Sequence, residues 1–220
     1  MIITEKKKIE EILKAVGENK NIFLVGCGEC STTCKTGGEQ ELLTIKEELR
    51  SHGKVITGSC IPDAPCTAAQ VASNFAKNRK AIEDADVILV LACGLGAQSV
   101  KENSRFKKPV IIGCNTVCMG AIDKKGDFYE LYSACGECIL SDVGTAVCPV
   151  TRCPKGLLNG PCGGAINGKC EADRERDCIW VLIYEDLKVR GNLAYLFEIQ
   201  KPKDYSKQTR PHKVIMSTKL

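Results

Sequence analysis

The chain has 220 residues, 44% of them hydrophobic, and a formal net charge of +4. That length allows one domain, or one domain with a small second module, and the apolar content is enough to bury a core. So mild a basic excess, with no basic stripe interleaved with aromatics, excludes nucleic acid as the expected partner. No apolar run approaches the roughly 20 residues of a membrane span, and the charged start Met1–Lys8 leads into no signal-peptide core. The expectation is a soluble cytoplasmic protein. In a reducing compartment its fifteen cysteines point to metal or redox chemistry and not to a disulfide framework.

Taken in chain order, Ile9, Ile12, Leu13 and Val16 repeat at helical spacing, and Gly17 closes that helix. Ile22 to Val25 is a short apolar run of the kind found in buried parallel strands. Residues 27 to 38 are expected as a loop. Leu42, Leu43, Ile45 and Leu49 give a second helical face that ends at Gly53. A strand starts at Val55-Ile56 and reaches Cys60, and Ala68, Val71, Ala72 and Phe75 mark the next helix. A third strand is Val87 to Leu91, a short helix covers Ala97 to Asn103, and a fourth strand is Val110 to Ile112, ending at Cys114.

This alternation predicts an α/β fold, a small doubly wound parallel sheet over residues 1–130. From about Leu131 the chain becomes rich in Gly, Pro and Asn and loses its periodicity, as in small modules held by metal. A Cys-rich metal-binding module is therefore expected over 131–192, closed by a helix with Ile179, Leu182, Ile183 and Leu187 on one face. Residues 193–220 read as a basic tail, either solvated or docked on a partner.

Cys27, Cys30 and Cys34 stand at x2 and x3 spacing directly after the first strand. Three close cysteines plus one remote one suit a [4Fe–4S] cluster, in which four thiolates each cap one iron; zinc also accepts four thiolates. Cys93 is available as the fourth ligand, with Cys60 and Cys66 as rivals. Cys27, Cys60, Cys93 and Cys114 each lie at or just past a predicted strand end, the edge where open parallel sheets bind ligands.

Seven further cysteines follow. Cys135, Cys138, Cys148 and Cys153 make one natural set, and Cys162 is an equally good member. Cys170 and Cys178 are left over and could serve a third centre. The Cys148-Pro149 and Cys153-Pro154 steps match iron–sulfur motifs, and the spacing also suits structural zinc. Gly26-Cys27-Gly28 lacks the third glycine and the acidic ribose partner of a dinucleotide loop. His52 and His212 read as surface residues, and no recognised catalytic motif is present.

The strings Gly26 to Gly38, Leu91 to Gln98, Cys135 to Cys138, Cys148 to Gly164 and Asn167 to Glu171 resemble the cysteine-rich small subunit of bacterial methylenetetrahydrofolate reductases. The resemblance spans roughly residues 20 to 190. It implies a non-catalytic, electron-transferring subunit with Cys27, Cys30, Cys34, Cys93, Cys135, Cys138, Cys148, Cys153 and Cys162 as ligands of two [4Fe–4S] clusters, zinc being possible at one site. It implies a partner that carries FMN or FAD and reduces methylenetetrahydrofolate, a donor such as ferredoxin or another iron–sulfur protein, and a place in the reductive acetyl-CoA pathway of an anaerobe. The zinc alternative is a structural subunit of the same complex that moves no electrons. Cys114 and Cys118 lie outside the family pattern.

Overall fold

The structure, a computed structural model, describes residues 1–208, 210 and 211; His212 and the last basic residues of the tail, Lys213 and Lys219, lie outside the described residues. The chain divides into two compact units, residues 1–120 and 121–220.

In the first unit, β1 (Ile2–Lys6) precedes α1 (Ile9–Val16), β2 (Asn21–Val25), the single-turn α2 (Cys30–Thr33), α3 (Glu39–Ser51), β3 (Val55–Cys60), α4 (Ala68–Lys77), α5 (Arg79–Glu83), β4 (Val87–Val90), α6 (Gly94–Asn103), β5 (Val110–Ile112) and β6 (Cys114–Ile122). Four strands form a sheet in the order β3-β2-β4-β5. Every pairing in it is parallel, with Phe23 opposite Ile88 and Leu89 opposite Ile111.

The near-continuous apolar runs of β2 and β4 follow from burial on both faces. The period-2 geometry of a strand sends alternate residues to opposite sides. Phe23, Val25, Ile88 and Val90 therefore pack with Val71 and Phe75 of α4, Ile82 of α5 and Val100 of α6. Ile22, Leu24, Val87 and Leu89 pack with Ile12 and Val16 of α1 and Leu42, Ile45 and Leu49 of α3. Helices on both faces of a parallel sheet make this unit doubly wound, as the alternation of elements predicts.

Two strands lie outside that prediction. β1 pairs antiparallel with β6, from Ile2 opposite Met119 to Lys6 opposite Cys114. The partners are separated by most of the unit's length, so neither strand announces the other. Residues 27 to 38, expected as a loop, contain α2.

In the second unit, β7 (Phe128–Tyr132), the single-turn α7 (Pro149–Arg152) and α8 (Ile179–Val189) are followed by 3-10 turns at Leu193–Phe197 and Tyr205–Gln208. Its core is small: Val143 and Cys178 pack with Ile179, Trp180, Ile183 and Leu187 of α8. The helix ends at Arg190, beyond which Gly191 takes a positive φ of 70°. No helix among the described residues is long and apolar enough to cross a membrane.

Phe23 is fully buried and meets the Phe75 ring edge-on, with centroids 6.2 Å apart. Phe23→Ala is expected to cost about 3–5 kcal/mol, read as a lower urea midpoint for the first unit.

Candidate metal centres

The strand order makes the chain leave β2 toward β3 on one side and return to β4 on the other. The crevice outside the carboxyl ends of β2 and β4 is therefore the topological switch point of the sheet, where such folds bind ligands. Cys27 follows β2, and Cys93 follows β4 as the N-cap of α6. Both are buried.

Residues 26 to 38 are held on this edge by backbone bonds. Gly26 N–H donates to the Cys60 carbonyl, Cys27 N–H to Gly37, and Leu91 N–H to Val25. Gly37 lies so near β4 that a Cβ on it would come within 1.8 Å of the Leu91 carbonyl oxygen. Nothing but glycine fits there without moving backbone.

The loop's single turn of helix sets its thiols. Cys30 opens α2 and Cys34 caps its end, one turn apart. Both reach β1: Ile2 N–H donates to Cys30 Sγ at 3.4 Å, and the Cys34 thiol donates to the Ile2 carbonyl at 3.8 Å. The first strand thus supplies a backbone donor to one candidate ligand, which sequence spacing gave no means to see. The Cys27 thiol donates to the Asp63 carbonyl at 3.8 Å, tying the loop before Cys66 to the same edge.

Cys66 joins this group. Burial pushes its thiol up, and the neighbouring Cys93, Cys27 and Cys30 push it further, against a backbone hydrogen bond that lowers it. Cys27, Cys30 and Cys93 are therefore each within electrostatic reach of Cys66. The Cys34 side is different. Cys114, buried and donating to the Thr36 carbonyl at 3.7 Å, feels Cys93 and Cys34, yet burial dominates and drives its thiol up to about 11. Cys60 is driven to about 12 by burial alone and packs in the core with Val25 and Val71.

In the second unit Cys135 is buried and its thiol donates to the Glu137 carbonyl at 3.4 Å, while Cys138 is exposed. Cys148 stands at the first cap of α7 and Cys153 at its last. The Cys148 thiol donates to Thr151 Oγ1 at 3.8 Å, which donates to Ser133 Oγ at 3.2 Å, two residues from Cys135. Cys153 and Cys162 are turned elsewhere: with Cys170 and Cys178 they line a cavity of about 20 Å³.

The basic tail does not run free where it is described. Lys203 is buried, with Nζ donating to the Glu137 carbonyl at 2.5 Å, and Lys207 pairs with the Glu137 carboxylate. Residues after 200 thus cover the loop that carries Cys135 and Cys138. Of the histidines, His52 has Nδ1 at 2.8 Å from the Glu48 carbonyl, at the far end of α3 from the thiols.

The donor set is sulfur throughout, the choice of iron–sulfur clusters, zinc and other thiophilic metals. In chemistry the residues fit those groups. Among the described residues no three or more Cys, His, Asp or Glu are drawn closely enough together to hold a metal ion as they stand.

Residues 111–206 match a family described as methylene-tetrahydrofolate reductase C terminal. That stretch is related to methylenetetrahydrofolate reductase. No curated protein and no solved structure matches the chain.

Two outcomes follow from this geometry. Gly37→Ala is expected to destabilise the first unit by about 1–3 kcal/mol, seen as a lower thermal midpoint. Cys60 and Cys114 hold their protons more tightly folded than unfolded, where a cysteine titrates near 9.0. In that window the folded metal-free chain binds more protons, so its stability falls as pH rises from about 9 toward 12. Urea midpoints that rose with pH over this range would contradict it.

Proposed function

We propose that this chain is an iron–sulfur electron-transfer subunit working with a flavin-containing methylenetetrahydrofolate reductase. The observation that carries the reading is the placement of Cys27 and Cys93 just past β2 and β4 at the switch point of the sheet, with Cys30 and Cys66 in adjoining segments, in a chain whose second half is related to that reductase. A [4Fe–4S] cluster would be held there by Cys27, Cys30 and Cys93, with Cys34 or Cys66 as the fourth thiolate. A second cluster, or zinc, would sit on the thiols of the second unit.

The chain's own residues then have definite tasks. Ile2 N–H steadies the Cys30 sulfur, and hydrogen bonds to ligand sulfurs raise the potential of such a site. Cys93, the N-cap of α6, is set by that helix at the carboxyl end of β4. Cys27 and Cys93 are buried, Cys30 and Cys34 half-buried and Cys66 exposed, so the site would be sheltered on the sheet side and open on the Cys66 side. When bound, clusters of this kind supply one-electron transfer, and the two-electron hydride step belongs to the FMN or FAD of the partner. Ferredoxin or another iron–sulfur protein is the donor in this reading, and the methyl branch of the reductive acetyl-CoA pathway is its setting.

The test is iron, zinc and acid-labile sulfide per chain on protein purified without oxygen, with EPR after reduction. Iron and sulfide in matching amounts, with signals from reduced clusters, are expected. Cys30→Ala should empty the first unit and leave the metal of the second in place. Comparing Cys34→Ser with Cys66→Ser identifies the fourth ligand by which variant loses iron. Colourless protein containing zinc and no sulfide would replace electron transfer with a scaffolding role.

A further inference from the structure

The 20 Å³ cavity in the second unit gathers thiols that sequence spacing divides between groups. Cys153 ends α7, Cys162 lies in the glycine-rich loop after it, and Cys178 stands at the start of α8. Cys170 is carried by a small knuckle in which Lys169 bridges to both Ile166 and Asp177. Cys170 N–H donates to the Arg176 carbonyl at 2.9 Å and Cys178 N–H to Gly168 at 2.7 Å. The knuckle therefore fixes two of the four backbone positions without using either thiol.

Lys155 and Glu171, paired with each other, also line the cavity, and the Cys162 thiol donates to Glu171 Oε2 at 3.5 Å. Leu157, Ala165, Ile179 and Trp180 supply the apolar part of the wall beside the four cysteines; Cys178 is buried, Cys153 and Cys170 are half-buried and Cys162 is exposed. Gly164 N–H donates to Cys162 Sγ at 3.4 Å. A cavity of this volume holds about one water-sized sphere. That is room for an atom and not for a cube of four irons and four sulfides.

We propose that Cys153, Cys162, Cys170 and Cys178 are the four ligands of a single thiophilic divalent ion, Zn²⁺, and that Cys135, Cys138 and Cys148 belong to a different group. The ion takes the place of the four thiol protons, which leave to solvent as the thiolates form. Because the four thiols surround the cavity without yet closing to the spacing of a metal ion, loading draws them inward. Four segments with a small shared core are thereby stapled together. The assignment stands apart from electron transfer through the first unit, and the readouts below involve no electron transfer.

The experiment uses the full chain, stripped of metal and kept reduced. Zn²⁺ is added, and alkylation by iodoacetamide is then mapped cysteine by cysteine with mass spectrometry. Cys153, Cys162, Cys170 and Cys178 are expected to become protected together, at the same zinc concentration, while Cys138 continues to react. Trp180 is the sole tryptophan and lines the cavity, so Co²⁺ in place of zinc should quench its fluorescence. Cys170→Ser and Cys178→Ser are expected to weaken this quenching at least tenfold in cobalt concentration, and Cys138→Ser to leave it unchanged. Protection of Cys135, Cys138 and Cys148 together with Cys153 would overturn the grouping. Loss of iron and sulfide, with zinc unchanged, from Cys170→Ser protein purified without oxygen would overturn the single ion. The alkylation arm needs no substitution, so a variant that fails to fold does not remove the test.

Discussion

The contact of Gly37 with the Leu91 carbonyl sets the geometry of the thiol edge. β2 and β4 are neighbours in the sheet, and Leu91 just past β4 is also bonded to Val25 at the end of β2. Laying the loop's own backbone on that junction fixes the distance between Cys27 and Cys93. It also returns the chain to the start of α3, whose Leu42, Ile45 and Leu49 close one face of the sheet. The site and the core are consequently one packing problem, and a change at Gly37 acts on both.

The two units solve stability differently. The first buries continuous apolar strands between helices on both faces, so its thiol edge rests on a core that exists without metal. The second has α8 and a handful of side chains against it, and glycine-rich connections elsewhere. In such a module the backbone entropy of ordering long loops exceeds what a small core returns. Under the proposals above, cross-links through thiolates would make up the difference, and the seven cysteines of this unit would then serve folding as well as function.

Much of the first unit was legible from periodicity. β2, β3, β4 and β5 and the helices α1, α3, α4 and α6 stand close to where apolar spacing and glycine stops put them, because both faces of the sheet are buried. β1 and β6 were not legible, since their pairing joins residues 2–6 to 114–119 and β6 leaves Val117 exposed in place of a clean apolar run. The strand-edge position of Cys27 and Cys93 followed from the fold class. The approach of Cys66 did not, because it depends on how the loop through Asp63 folds back on Cys27. The gathering of Cys170 and Cys178 with Cys153 and Cys162 was hidden for a similar reason: a knuckle of two backbone bridges sets it, and linear spacing carries no trace of that.

The packing of Lys203 and Lys207 on Glu137 has a consequence in time. These contacts join residues 66 and 70 positions apart, and the covering segment is the last part of the described chain to leave the ribosome. Until it emerges, Glu137 lacks these partners on a nascent chain whose first unit has already been synthesised whole. The order of synthesis thus leaves an interval in which this loop lacks its two lysine contacts, and the arrival of the tail ends it while leaving Cys138 exposed.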